Sequence, residues 1–374
     1  MDNLRVVREP LFHIANRAQI PIWKAILIRV IAIILGLIVA GLIGLAIYNV
    51  SPFKVYYEII NGTFLLDGVF LTLVSETVFL LGVGIALIPV YKMKFWNLGG
   101  NGQILIGALC TLACMRTFGG KLPDGIVWIL MVVFAMMGGA LWAILPGICK
   151  AFFKTNESLF SLMMNYIAAE LTFFVVFKWK GNLTTMLPIE VANLPVLGHK
   201  YVLPIIVVVL LTAFMYLYMN HSKHGYEIAV VGESENTARY VGINFKKVII
   251  RTVAISGALC GLVGLLLVSV SSYKMDETLA RNLGFTAILA VWFAKNNPLL
   301  TIVSAFGMSF LTLGMEQASS IAFRVQDVSI PTLIVGLIYF FVIGCEFFAD
   351  YIIKRNGKQE KKTEKQTAKV KEDE

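Results

Sequence analysis

About ten runs of predominantly apolar residues divide this chain, most of them close to the ~20 residues a helix needs to cross the hydrocarbon of a bilayer. They lie near Ala25 to Val50, Val69 to Val90, Asn101 to Thr117, Gly125 to Cys149, Ser158 to Phe177, Val202 to Met219, Val248 to Val270, Leu283 to Ala294, Leu299 to Glu316 and Pro331 to Tyr351. The eighth is short enough to be a half-helix or a re-entrant segment. Composition agrees: 58% of the 374 residues are hydrophobic, 15% are charged, and the mean hydropathy is +0.78. Soluble domains do not look like this. The expected fold is an all-α integral membrane protein of about ten transmembrane helices. The first run is too long for a signal-peptide core, so it is expected to be retained as a span.

The formal charge of +9 would suggest nucleic acid in a soluble protein. In a membrane protein, Lys and Arg in short loops report topology first, and no nucleic-acid partner is expected. With the N-terminus inside, the inner loops collect Lys92, Lys94, Lys150, Lys154, Lys223, Arg239, Lys246, Lys247 and Lys295, and both ends are cytoplasmic. The three lysines between residues 178 and 200 oppose that layout. The organisation that follows is a cytoplasmic N-terminal segment at 1–24, a transmembrane domain at 25–351 and a cytoplasmic loop at 221–247. A charged tail at 352–374 has too few apolar residues to bury a core, so it is expected to be disordered. The triplets at Asn61 and Asn182 match the glycosylation sequon in expected external loops and carry no weight alone.

Chemistry can be sought in few places. The run Lys94-Phe-Trp-Asn-Leu-Gly-Gly-Asn-Gly-Gln103 is dense in glycine and amides. Asn97, Asn101 and Gln103 offer donors and acceptors without charge, which suits an uncharged polar solute, or else the run is a capped helix-packing turn. Asn97-Leu-Gly99 is echoed by Asn282-Leu-Gly284, each opening a short span from opposite sides of the membrane. Paired broken segments of inverted repeats line substrate paths in this way. Glu76 lies within the second span, where an acid is costly, and is either a proton relay or hydrogen-bonded to a neighbouring helix. No catalytic constellation, cofactor motif or metal site is apparent. Cys110, Cys114, Cys149, Cys260 and Cys345 sit in apolar runs as small hydrophobes, and His221 and His224 have no third ligand. The chain lacks a Walker motif, so energy from ATP would have to come from another subunit.

The longest polar interruption with basic ends is His221 to Lys247. Within it, Glu233 to Gly242 is expected to form one short helix, with acids in its first turn, Arg239 near its end and Gly242 as a left-handed stop. Ala238 and Val241 share a face of that helix and could dock on a soluble partner.

Several segments, in order, resemble the permease subunits of ABC importers of the simple-sugar and branched-chain amino-acid superfamily, most of all the nucleoside-type branch. Ser75-Glu-Thr77 precedes a glycine-bearing span, and Phe95 to Gln103 is similar to the family's FNxGxEGQ signature. Asn156-Glu157 through Met163-Met-Asn-Tyr-Ile-Ala168 is similar to NExxxxxMxNYIA. Tyr240-Val-Gly-Ile243, Ser256 to Gly264 and Gly284-Phe-Thr-Ala-Ile288 through Pro298 follow in register. Asn101 departs from the family by replacing its usual Glu, and Trp292 by replacing a small residue.

The resemblance implies an ATP-driven importer of nucleosides or a related simple-sugar-type solute. Its partners would be cytoplasmic ATP-binding subunits, a second related permease, an extracellular substrate-binding lipoprotein and the lipid bilayer. It places the substrate path at Glu76, Asn97, Asn101, Gln103, Asn165, Phe285 and Thr286, and coupling to the ATPase at Tyr226, Glu227, Gly232, Glu235, Arg239 and Gly242. The chain would be a transport subunit in the cell membrane without an ATPase site of its own. The alternative is a stand-alone proton-coupled secondary transporter that uses Glu76.

Overall fold

The computed structural model describes residues 12–16, 22–180, 193–324 and 329–355. The sequon at Asn182 and the tail beyond Arg355 fall outside them. Helices dominate: α1 Ile22–Tyr48, α2 Pro52–Phe64, α3 Val69–Lys92, α4 Gly100–Phe118, α5 Asp124–Phe153, α6 Glu157–Lys180 and α7 Val202–His221. They continue with α8 Lys223–Glu233, α9 Glu235–Tyr240, α10 Phe245–Leu266, α11 Leu283–Phe293, α12 Pro298–Ala318 and α13 Ser329–Asp350. The ends of α10 and α12 loosen into π-helical turns, Leu267–Ser272 and Ser319–Phe323. Strand β1 Phe12–Asn16 pairs antiparallel with β2 Tyr351–Arg355, so the first residues of the segment expected as an unstructured tail form a ladder.

Each of the ten apolar runs is helical, and the protein is an all-α membrane protein apart from that strand pair. Seven helices are long and apolar enough to cross a bilayer, and Leu283–Phe293 and Pro331–Cys345 are shorter apolar helices. The expected ten crossings are therefore not all met by length and composition. Helix α4 falls short because it opens Gly-Asn-Gly-Gln and carries Arg116 in its last turn. Helix α2 was not expected: a search for long apolar runs passes over a short helix of mixed polarity. Its last turns hold Asn61 and Thr63, so that sequon lies in a helix with Thr63 buried.

The chain divides into a terminal unit, Met1–Gly62 with Thr312–Glu374, and a central unit, Thr63–Leu311. In the terminal unit α1 packs on α13, where a Cβ on Gly36 would stand 3.1 Å from Ile338 Cα. Tyr56 Oη donates to Leu37 O at 2.7 Å, and Tyr48 stacks on Phe323 with ring centroids 4.7 Å apart.

The central unit is built around α3 and α10, which bury 78% and 83% of their most apolar windows, while α7 buries only 28%. Small residues explain how α10 gets inside. A Cβ on Gly261 would lie 2.2 Å from Ala135 O, one on Gly257 2.4 Å from Gly139 O, and one on Gly107 2.3 Å from Gly261 Cα. Helices α4, α5 and α10 thus meet backbone to backbone, where van der Waals contact replaces the missing hydrophobic drive between helices in lipid. The opposite face of α5 exposes Ile129, Val133, Leu141 and Leu145, the apolar surface a lipid-facing helix presents.

Candidate functional site

Two short polar-headed segments meet in the central unit. Helix α3 ends in a Schellman turn: Lys94 is left-handed at φ 58°, Lys94 N donates to Tyr91 O, and Phe95 N donates to Val90 O. The chain then enters the amide-rich turn. Asn97 Oδ1 accepts from Gly99 N at 2.9 Å and from Gln103 Nε2 at 3.3 Å, and Tyr91 Oη donates to Asn97 O at 2.5 Å. Asn165 reaches across from α6 as a two-point clamp. Its Oδ1 accepts from Gly102 N at 2.8 Å, and its Nδ2 donates to Leu98 O at 2.7 Å. Ser161 Oγ accepts from Leu98 N at 3.0 Å. All but the Gln103–Asn97 bond satisfy a backbone group at the turn that would otherwise carry a desolvation penalty.

The partner segment is the one that leads into α11. Arg281 and Asn282 are left-handed, at φ 42° and 58°, and swing the chain into α11. Gly284 N donates to Asn101 Oδ1 at 2.7 Å, and a Cβ on Gly284 would lie 2.6 Å from Asn101 N. Only glycine lets the two backbones come this close. Helix α11 closes as α3 does, with Lys295 left-handed, Lys295 N donating to Trp292 O and Asn296 N to Val291 O. The two turns are further linked by Trp96 and Trp292, which meet edge to face at 4.9 Å.

The residues expected along a solute path therefore fall into two groups. Asn97, Asn101, Gln103 and Asn165 are brought together and buried, with their amides engaged in holding the turn. What they leave over is Asn97 Nδ2 and Gln103 Oε1, and beside Gly102 the indole Nε1 of Trp142; all three are buried without a protein hydrogen-bond partner. Glu76, Phe285 and Thr286 take no part in the hydrogen bonds of that cluster. Thr286 Oγ1 donates to Asn282 O at 3.3 Å, and Phe285 is partly exposed on α11. Glu76 has a partner that a search for neighbouring acids could not find: Arg281 Nη1 donates to its Oε1 at 3.0 Å.

The polar loop is two helices where one was expected. Glu233 closes α8, and Ser234 starts α9 by accepting from Thr237 N at 3.4 Å. The break arises because Ser234 is extended, at φ −161°, and a serine at that position caps a new helix rather than continuing the old one. Gly242 is left-handed, at φ 80°, and ends α9, with Ile243 N donating to Ala238 O. Ala238 is fully buried, so it does not offer a docking face; Tyr240 and Val241 are exposed instead. The loop is fastened to the spans at two points. Arg251 of α10 pairs with Glu227 of α8 at 2.8 Å, and Gly232 rests on the end of α3, where a Cβ would lie 2.3 Å from Lys92 O. Arg239 pairs with Glu235 one turn away, and Tyr226 is exposed on α8. His221 and His224 join no group of metal-binding residues among those described.

Residues 68–343 match the family described as "Branched-chain amino acid transport system / permease component". The chain belongs to this family. It is 28% identical to the guanosine ABC transporter permease protein NupP of Bacillus subtilis over 83% of this chain and 92% of that protein. It is 26% identical to the glucose ABC transporter permease protein TsgB13 of Haloferax volcanii over 90% of this chain and 91% of that protein. A second guanosine ABC transporter permease protein of Bacillus subtilis, NupQ, is 26% identical over 60% of this chain and 73% of its own length. The permease is thus a multi-pass protein of the cell membrane, and the segments that meet at Asn101 and Gly284 both lie inside the matched region.

Proposed function

We propose that this permease is the transmembrane subunit of an ATP-driven ABC importer that moves nucleosides, or a related sugar-containing solute, into the cytoplasm. The observation that carries the reading is the joint between the amide-rich turn and α11, fixed by Asn101 and Gly284. Broken segments that meet inside a helical bundle are where transporters of inverted-repeat design hold their solutes. The unpartnered amide atoms of Asn97 and Gln103 and the indole of Trp142 supply uncharged donors and acceptors at that joint. The likeness to a guanosine permease favours a nucleoside over a free sugar. Phe285 and the exposed edges of Trp96 and Trp292 give α11 and the turn aromatic surface on which a base could stack.

In this reading ATP-binding subunits press on α8 and α9 from the cytoplasm. Glu227–Arg251 and the seat of Gly232 on α3 carry that push into α10 and α3. An extracellular lipoprotein delivers the solute, and a second, related permease completes the pair, as the two guanosine permeases of one bacterium suggest. Glu76 acts as a structural partner of Arg281 rather than as a proton relay.

The test is uptake of labelled guanosine and glucose into proteoliposomes that hold this chain with its ATP-binding subunits, second permease and lipoprotein. Guanosine uptake that needs ATP and survives collapse of the proton gradient is expected, with glucose a poor competitor. Uptake by this chain alone, driven by a proton gradient and lost in Glu76→Gln, would overturn the proposal.

A further inference from the structure

A groove of about 470 Å³ opens where α5 ends and α10 begins. Its walls combine apolar side chains, Phe152, Ile250 and Ala254, with three cations, Lys246, Lys247 and Arg251, and no acid lines it. Lys246 Nζ lies over the Phe152 ring at 4.4 Å, and neither Lys246 nor Lys247 pairs with a carboxylate among the described residues. Arg251 also lines the groove; it donates to Glu227 through Nη2, and its buried Nε finds no acceptor in the protein. From Phe152 an exposed apolar track runs along α5 through Ile148 and Leu145 into the span.

We propose that this groove binds an anionic phospholipid, with the headgroup phosphate on Lys246, Lys247 and Arg251 and an acyl chain along Phe152, Ile148 and Leu145. Cations at the polar end of a span, two of them without a carboxylate partner among the described residues, next to an apolar track that enters the membrane, match the two halves of one lipid molecule. A soluble phosphate compound would use the cations but leave the track bare. The site touches the loop as well: a phosphate that draws on Arg251 competes with Glu227 for the same guanidinium, so lipid occupancy alters the fastening of α8 to α10.

The test uses the full chain in detergent, titrated with phosphatidylglycerol, phosphatidylcholine or glycerol 3-phosphate and read by native mass spectrometry and by the shift in melting temperature. Saturable binding of phosphatidylglycerol alone is expected. Binding about thirtyfold weaker is expected in K246Q/K247Q, the loss anticipated for two lysines at an anionic surface. K246R/K247R should retain binding, which separates charge from folding, and Phe152→Ala should weaken the lipid without changing the response to glycerol 3-phosphate. Equal affinity for glycerol 3-phosphate would overturn the lipid assignment in favour of a soluble phosphate ligand. Unchanged lipid affinity in K246Q/K247Q, or loss of lipid from the wild-type groove once ATP-binding subunits are added, would overturn it in favour of a protein surface.

Discussion

Asn101 stands where the signature that this turn resembles has a glutamate, yet the position keeps a carbonyl-type oxygen that accepts from the Gly284 N–H at 2.7 Å. The acceptor, rather than a charge, is what the joint requires. Replacing Asn101 by Leu would leave that buried donor unsatisfied at a cost of about 1–3 kcal/mol, whereas Asp retains an acceptor at the same reach. Thermal unfolding in detergent should show Asn101→Leu clearly destabilised and Asn101→Asp much closer to wild type. If the two variants melt alike, Asn101 does not act through this bond. The side chain was visible in the sequence because the Asn97 and Asn282 echo drew attention to both segments. The clamp by Asn165 was harder to see. Its role depends on α6 crossing the turn, and a motif match supplies no such tertiary fact. Arg281 escaped for a different reason: acids inside spans stand out against apolar neighbours, while a loop arginine looks like ordinary surface charge.

Helices were legible to different degrees. Long apolar runs announce themselves through local hydropathy, so each of the ten became a helix; α2 and the break at Ser234 did not, because their signals are a short mixed pattern and a single cap. The break matters for how the loop works. Helix α8 is fastened by Glu227 to Arg251 and by Gly232 to the end of α3, whereas α9 presents Tyr240 and Val241 outward. In the proposed mechanism α8 would be the lever and α9 the handle. A methyl at Gly232 would lie 2.3 Å from Lys92 O, so Gly232→Ala should lift α8 from α3 while the spans still insert. Arg239→Glu removes an exposed pair worth only about 0.3–0.5 kcal/mol, so a large effect from it would come from reversed charge at the partner's surface. In the assembled importer both variants should hydrolyse ATP at a rate that no longer follows solute uptake. Undiminished coupled uptake in both would remove α8 and α9 from the transmission path.

At the scale of the molecule, orientation decides whether the lever faces ATP at all. The basic residues of the loops between α3 and α4, α5 and α6, and α7 and α10 favour one side, which the positive-inside tendency makes the cytoplasm. On that layout the loop carrying Glu277 and Arg281, which bonds Glu76 of α3, is expected to face outward. Cysteines added one at a time can test this with a membrane-impermeant maleimide on intact cells, with labelling of the wild-type chain as background, since its own five cysteines are buried or half-buried. Glu277 and Tyr240 are both exposed, so neither position depends on local unfolding for access. Glu277→Cys should label on intact cells, and Tyr240→Cys only after permeabilisation. The reverse pattern would place the loop outside, away from any cytoplasmic ATP-binding subunit, and the importer mechanism would fail with it. Because Glu277 and Tyr240 belong to one compact unit, the outcome cannot be produced by rearranging the terminal helices.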